Sequence, residues 1–326
     1  MLVISERVLD TPPVGTDLYL PNFPSQLLME KRMIEATARR LSDIANEPAL
    51  VANAGASTSV LDGLRQAHLE VRLARTETEI HAAQRLRYRV FYGEMGARPT
   101  PEMVAVGRDF DHYDAFCDHL LVLDHSTGVE GGEVVGTYRL LRRASAVRAG
   151  GFYTASEFDI SALLAVPGDI MELGRACVDE RARNRPTMQL LWRGIGSYVQ
   201  YFDVKVMFGC GSLPGTDPAA LARPLSYLYY NHLAPEIVRT RALPERYVKM
   251  DLLPSREVDV DGAVADLDAR AVIAALPPLI KGYLRLGGLI GDGAVIDHEF
   301  GTTDVCIIVV TDRLTDKYFN HFVKNS

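Results

Sequence analysis

Two segments some sixty residues apart carry the charged groups best placed for chemistry. Arg87-Tyr-Arg-Val-Phe91 leads into an acidic run, Arg108-Asp-Phe-Asp-His-Tyr-Asp114. Glu172-Leu-Gly-Arg175 lies in an apolar strand pattern and is followed by Arg181-Ala-Arg-Asn-Arg185 and a helix. A carboxylate on a buried strand is costly unless it is paired or functional. Glu172 is therefore either half of a structural Glu–Arg pair or a base. The aspartates Asp109, Asp111 and Asp114 form either a solvated loop or a seat for an ammonium group. Arg139, inside Gly136-Thr-Tyr-Arg-Leu-Leu141, calls for a carboxylate or phosphate partner, which one of those aspartates would supply from within. The turn before Pro186 offers backbone N–H groups to an anion, with Arg181, Arg183 and Arg185 adding positive charge. Acids, arginines and an anion-binding turn suit transfer of an acyl group to an amine. The chain shows no nucleophile motif of its own. Cys117 and His119 are too close to face one another along a strand and lack a third member.

The elements that must position these residues follow from periodicity. Strict alternation places Glu172 and Gly174 on one face of their strand and Arg175 on the other, unless a bulge intervenes, and a glycine inside a strand often marks one. Strands are expected at 69–74, 119–123, 133–141, 170–178, 204–210 and 305–310, from alternating or continuous apolar runs. Helices are expected at 78–91, from Pro186 to about Phe202, within 216–234, and at 267–286 with a break at Pro277-Pro278. The order gives an α/β fold, a mixed sheet with helices on both faces. Residues 1–68 read as a separate extension: a Pro-rich segment, one helix over about 25–45, and a small polar linker at 49–59. Residues 69–326 read as the main domain. The apolar stretch 276–290 reads as core, with an acyl-chain tunnel or lipid contact as the alternative.

Net charge is −7 over 326 residues, so no global field draws the chain to nucleic acid or to an anionic membrane. The four cysteines are scattered without a C-x-x-C pair, and free thiols in a reducing cytosol are expected. The D-x-D of the acidic run lacks the glycine and distal glutamate of a calcium loop, so no metal is expected. The N-terminus lacks a signal-peptide core and no apolar run is long enough to span a bilayer. A cytoplasmic protein is expected, with room for peripheral contact at the inner face of the membrane.

The order Arg87…Phe91, Asp114, Arg139-Leu-Leu141, Glu172-x-x-Arg175 resembles the acyl-homoserine-lactone synthases of the GNAT (N-acyltransferase) superfamily. A longer resemblance runs over about residues 70–322. Phe152-Tyr-Thr-Ala-Ser-Glu-Phe-Asp159, Leu190-Leu-Trp-Arg193, Phe208-Gly-Cys210, Gly215-Thr-Asp217, Leu225-Ser-Tyr-Leu228, Leu276…Gly287, Gly291-Asp-Gly-Ala294 and Thr303-Asp-Val-Cys306 are similar to the ornithine lipid N-acyltransferases. That resemblance implies a GNAT-like sheet splayed near its centre, with a phosphopantetheine arm in the cleft. It also implies transfer of a 3-hydroxyacyl chain from acyl carrier protein to the α-amine of L-ornithine, giving lyso-ornithine lipid, with no permanently bound cofactor. The loop Arg183-Asn-Arg-Pro-Thr-Met188 has no glycine, unlike the pyrophosphate loop of acetyl-CoA-using members, which favours a carrier-protein donor.

On that implied reaction Glu172 is the general base. Backbone N–H groups around Ala176 to Val178 stabilise the oxyanion. Arg139 or Arg175 holds the ornithine carboxylate, and Asp109, Asp111 or Asp114 its side-chain ammonium. Arg181, Arg183 and Arg185 meet the carrier protein or its phosphate. Acyl-homoserine-lactone synthesis, a noncatalytic acyl-chain binder and a membrane-active protein are the alternatives.

Overall fold

The computed structural model describes residues 61, 63–254, 256–258, 264–266 and 269–311. The helix and linker expected within 1–60 lie outside the described residues. The described strands are β1 (Arg65–Gln66), β2 (Leu69–Leu73), β3 (Asp118–Asp124), β4 (Glu133–Arg142), β5 (Phe158–Asp159), β6 (Asp169–Val178), β7 (Val204–Pro214), β8 (Arg241–Ala242), β9 (Arg256–Val258), β10 (Val264–Asp266), β11 (Leu289–Asp297) and β12 (Thr302–Val310). Ten of them form one sheet in the order β1-β2-β3-β4-β6-β7-β12-β11-β8-β5, and β9 and β10 pair separately. Pairing is antiparallel except between β6 and β7 and between β11 and β8. The helices are α1 (Glu77–Tyr88), α2 (Pro101–Val106), α3 (Arg143–Arg148), α4 (Ser161–Leu164), α5 (Arg185–Phe202), α6 (Ala222–His232), α7 (Ala269–Ala275) and α8 (Pro278–Arg285).

Period-two alternation sets the layers. In β3, Leu120 and Val122 join the core under α5 with Leu190, Leu191 and Ile195. Leu121 and Leu123 point the other way and pack with Ala83 and Leu86 of α1. Helices therefore cover both faces of the sheet, as the element order predicts. The starts of α1 and α5 carry a capping signal in the sequence. Thr76 caps α1 by accepting from the Glu79 N–H, and Asn184 caps α5 by accepting from the Thr187 N–H, with Pro186 in the first turn. Leu61 is fully buried and β1 pairs with β2, so the described residues ahead of 69 belong to this core and sheet. The stretch 276–290 is core: Leu276, Leu279, Ile280, Tyr283 and Ile290 are all buried in it. No helix among the described residues is long and apolar enough to cross a membrane.

The sheet opens at its centre. β6 and β7 run in parallel register only from Asp169–Val204 to Glu172–Phe208. Beyond that point β6 stays with β4 as far as Val178, and β7 stays with β12 as far as Pro214. Gly209 sits where the strands part, and a Cβ added there would lie 2.3 Å from the Leu173 carbonyl oxygen. Gly209→Ala should force the two strands further apart at a cost of roughly 1–3 kcal/mol. A urea or thermal unfolding midpoint checks this, and an unchanged midpoint would mean that the fork gives way freely.

Candidate active site

A bulge sets the handedness of the site. Arg139 pairs with Gly174 and Thr137 with Cys177, so Tyr138 alone opposes both Arg175 and Ala176. Arg175 takes the left-handed conformation, φ +49°, unusual for a residue with a Cβ. The extra residue inverts the alternation: Met171, Leu173, Ala176 and Val178 all face the α5 core. Arg175 is thereby brought onto the same face as Glu172 and Gly174. Gly174 neighbours the bulge, but the strained residue is the arginine itself.

Glu172 stands at the last paired position before β6 and β7 diverge, 4% exposed. Its carboxylate closes the start of a short 3-10 turn, Tyr153–Ser156. The Tyr153 N–H donates to Oε2 at 2.8 Å, the Thr154 N–H donates to Oε1 at 2.6 Å, and the Thr154 hydroxyl also donates to Oε1. These are the unpaired donors of a helical first turn. Burial pushes the carboxyl above the ordinary glutamate range, and the Thr154 and Tyr153 hydrogen bonds oppose the rise. A narrow cleft lies against it, lined by Tyr113, Cys117, Arg139, Leu141, Tyr153, Glu172, Leu173, Gly174 and Cys210. The cleft meets β6 at Glu172 to Gly174, whereas Ala176 and Val178 are buried beyond it.

The acidic run and the arginines meet in one lattice. Arg87, fully buried, donates from Nε to Asp109 at 2.6 Å and from Nη1 to Asp114 at 2.7 Å. Arg139 Nη1 lies 2.5 Å from Asp111 and 3.5 Å from Asp114. Arg175 reaches Asp109 at 3.4 Å and Asp111 at 3.3 Å. Burial alone would raise the three carboxyls, but the guanidinium groups hold all of them below the ordinary range. The run is thus not a solvated loop. Asp109 and Asp114 are buried against Arg87, and of the three only Asp111 keeps appreciable side-chain exposure, 21%. Arg139 Nε and Arg175 Nη1 are buried without an acceptor among the described residues, and Arg139 borders the cleft. Arg139 and Arg175 lie 6.0 and 5.4 Å from the ring centres of Tyr113 and Tyr153 respectively.

The basic turn divides by exposure. Arg181 is exposed and pairs with Asp179 and Glu133. Arg185 is exposed at the start of α5. Arg183 turns inward, donating to the Val178 carbonyl at 3.0 Å and pairing with Glu94, so it ties the loop to the π-helical turn Arg89–Glu94 that continues α1. Of the cysteines, Cys177, Cys210 and Cys306 are buried and Cys117 is half-buried, all as free thiols. Tyr113, Tyr153, Thr154 and Cys210 complete the site without having been marked by charge or spacing. The one trace of Tyr153 and Thr154 in the sequence is the segment 152–159, quoted above only for its family likeness.

The sheet forks beside a buried strand carboxylate, with a bulge at Arg175 and Ala176 beyond it, and residues 86–193 match the acetyltransferase (GNAT) domain family. Closer relatives extend well past that segment. The L-ornithine N(alpha)-acyltransferase of Rhizobium meliloti (strain 1021) is 48% identical over 79% of this chain and 85% of its own length. That of Brucella abortus (strain 2308) is 46% identical over 78% and 88%, and that of Rhodobacter capsulatus 40% identical over 78% and 95%. The chain belongs to the L-ornithine N(alpha)-acyltransferase family. Among solved structures, the AHL synthase LasI overlays 76% of this chain and 95% of its own at 11% identity and a TM-score of 0.38.

Proposed function

We propose that this enzyme transfers a 3-hydroxyacyl chain from acyl carrier protein to the α-amine of L-ornithine, giving lyso-ornithine lipid. The observation that carries the reading is Glu172: a buried, basic carboxylate held by Tyr153 and Thr154 at the wall of a cleft where the sheet forks. The relatives' names supply the amine. The amine enters mostly protonated, passes a proton to Glu172 directly or through water, and attacks the thioester carbonyl. The unpaired edge of β6 beyond Glu172 offers backbone donors to the donor arm and to the oxyanion. The expected pair Ala176 and Val178 lies deeper than the cleft floor, so N–H groups nearer Gly174 are the better-placed members of that edge. Arg139, with its free Nε, is the nearer seat for the substrate carboxylate, and Arg175 holds Asp109 and Asp111 in place behind it. Asp111 is the acid with exposure to meet the side-chain ammonium. Arg181 and Arg185 remain open to a carrier protein, while Arg183 braces the loop they stand on.

The test is incubation of the protein with 3-hydroxyacyl carrier protein and a panel of amines, following free thiol and product mass. Thiol release that depends on ornithine, with the mass of an N-acyl-ornithine, is the expected result. Release with a different amine alone overturns the substrate, and release with acyl-coenzyme A but not with the carrier protein overturns the donor. Absence of thiol release with every amine and every donor would overturn the reaction itself.

A further inference from the structure

Glu172 is one end of a buried chain of proton-carrying groups. Thr154, whose hydroxyl donates to Glu172, lies with Oγ1 3.7 Å from Cys210 Sγ, within reach for that hydroxyl to turn and donate to the sulfur once Glu172 is protonated and itself donates to Oγ1. Cys210 Sγ in turn donates to Glu157 Oε2 at 3.3 Å. All four side chains are nearly or fully buried. Glu157 ends the same short turn that Glu172 caps. Arg246, one-third exposed, reaches Glu157 Oε1 at 3.9 Å, so the far end of the chain adjoins solvent.

The proposed reaction needs such an end. An ammonium and a thioester become an amide and a thiol. The nitrogen loses two protons, one finishes on the leaving sulfur, and one is left over. Glu172 receives the surplus proton in a cleft that the substrates fill. Resting on that reaction, we propose that Glu157 is the terminal acceptor of the surplus proton, delivered from Glu172 through the Thr154 hydroxyl and the Cys210 thiol. In the transfer Glu172 gives its proton to Thr154 Oγ1, Thr154 gives its own to Cys210 Sγ, and Cys210 gives its own to Glu157 Oε2. Thr154 and Cys210 each end with one proton, as they began. Glu157 then releases the proton beside Arg246. A hydroxyl and a thiol suit the middle positions because each holds one donor and an acceptor lone pair.

The groups facing Glu157 support the assignment. Cys210 on β7 and Asp304 on β12 have ligand atoms within 4.8 Å of it and of each other. Arg246 faces it from the loop after β8, and Tyr153 and Cys306 border the same space. Burial, then the neighbouring Asp304, brings the Glu157 carboxyl up to about 7, where a group both accepts and releases protons readily. Burial and the Glu157 charge keep Cys210 a neutral thiol, so it hands protons on instead of holding a charge. Asp304, itself raised by burial, accepts from the Thr302 hydroxyl at 2.8 Å.

The experiment is a pH profile of kcat under saturating ornithine for the wild type, Glu157→Gln, Cys210→Ala and Cys210→Ser, with ornithine KM recorded alongside. Glu157 accepts only when unprotonated, so wild-type kcat falls on the acid side with two ionisations, Glu172 and Glu157. Glu157→Gln should lose one of them and drop the plateau on the order of tenfold at unchanged KM. Cys210→Ala should match that drop, and Cys210→Ser should restore most of it, which a packing role would not explain. Solvent isotope effects on wild-type kcat in H2O–D2O mixtures test the same point without any variant: a bowed proton inventory supports several protons in flight. Variants with wild-type kcat and profile, or a linear inventory, overturn the relay. Wild-type protein that transfers no acyl group to any amine overturns the reaction and the relay together, whereas an active wild type with indifferent variants overturns the relay alone.

Discussion

Arg87→Met should cost the folded protein about 3–5 kcal/mol at neutral pH, the range for removing one partner of a buried ion pair. The arginine is fully buried and donates to both Asp109 and Asp114. Methionine matches much of its length but offers no donor. Asp109 would retain Arg175 at 3.4 Å, and Asp114 would retain Arg139 at 3.5 Å, contacts too long to replace what is lost. In the wild type these carboxyls lie below the ordinary range, so their contribution to stability is present above about pH 4, the unfolded aspartate value, and fades only as the pH falls through their depressed folded values. Without Arg87, burial would drive them upward, and the variant would lose stability as the pH rises above about 4. The gap between the two proteins should therefore widen from pH 4 to pH 7. Urea unfolding at several pH values measures it. A gap below about 1 kcal/mol that does not move with pH would place Arg87 among surface-like pairs and remove the lattice as a structural element.

Glu172→Gln should lower kcat on the order of a hundred- to ten-thousand-fold, the span expected for loss of a general base, with ornithine KM changed only a few-fold. The amide cannot take a proton from the amine. It also cannot satisfy its surroundings fully. If its oxygen keeps the two Thr154 donors, its NH2 group faces the Tyr153 N–H, and two donors in contact leave about 1–3 kcal/mol of polar group unmet. Some loss of stability should accompany the loss of rate, so unfolding must be measured on the same sample. In the wild type the raised carboxyl has to be ionised to act, and activity should fall on acidification at a higher pH than an ordinary glutamate would give. The variant should lack that limb. Full turnover in Glu172→Gln would remove the base assignment.

How far the sequence predicted this site depended on what each residue signals locally. Strands β2, β3, β4, β6, β7 and β12 were legible because their apolar residues alternate or run unbroken, and α1 and α5 because a cap or a proline marks where they begin. β11 was not, since Gly291 and Gly293 interrupt its apolar run and its pairing with β12 slips between Ile290 and Ala294. Arg139, Glu172 and Arg175 stood out as charges in apolar strands, and Asp109, Asp111 and Asp114 as an acidic run, with Arg87 legible only as the head of the segment leading into it. Their pairing did not, because it depends on a bulge that puts Arg175 on the face of Glu172, and alternation alone places it opposite. Gly174 hinted at irregularity, yet the left-handed residue is its neighbour. Thr154, Glu157 and Cys210 were invisible as a group: a threonine, a glutamate and a cysteine far apart in sequence meet only when the turn at 153–156 packs against β7.

The place of β12 has a consequence for how the protein is made. It follows β7 and β11 in the chain but lies between them in the sheet, pairing with β7 from Thr302–Pro214 to Val310–Val206. During synthesis from the N-terminus, β7 must wait with one edge open until β12 emerges, and that edge is a long, mostly apolar strand. Open edges of this kind are templates for joining other chains. The first half of the sheet, β1 to β4 with β6 and β7, can assemble beforehand and hold Glu172 and the ion lattice. The insertion of β12 then seals the sheet, so a ribosome that pauses before Thr302 leaves a nascent chain that carries the machinery of the site and is prone to stick to its neighbours.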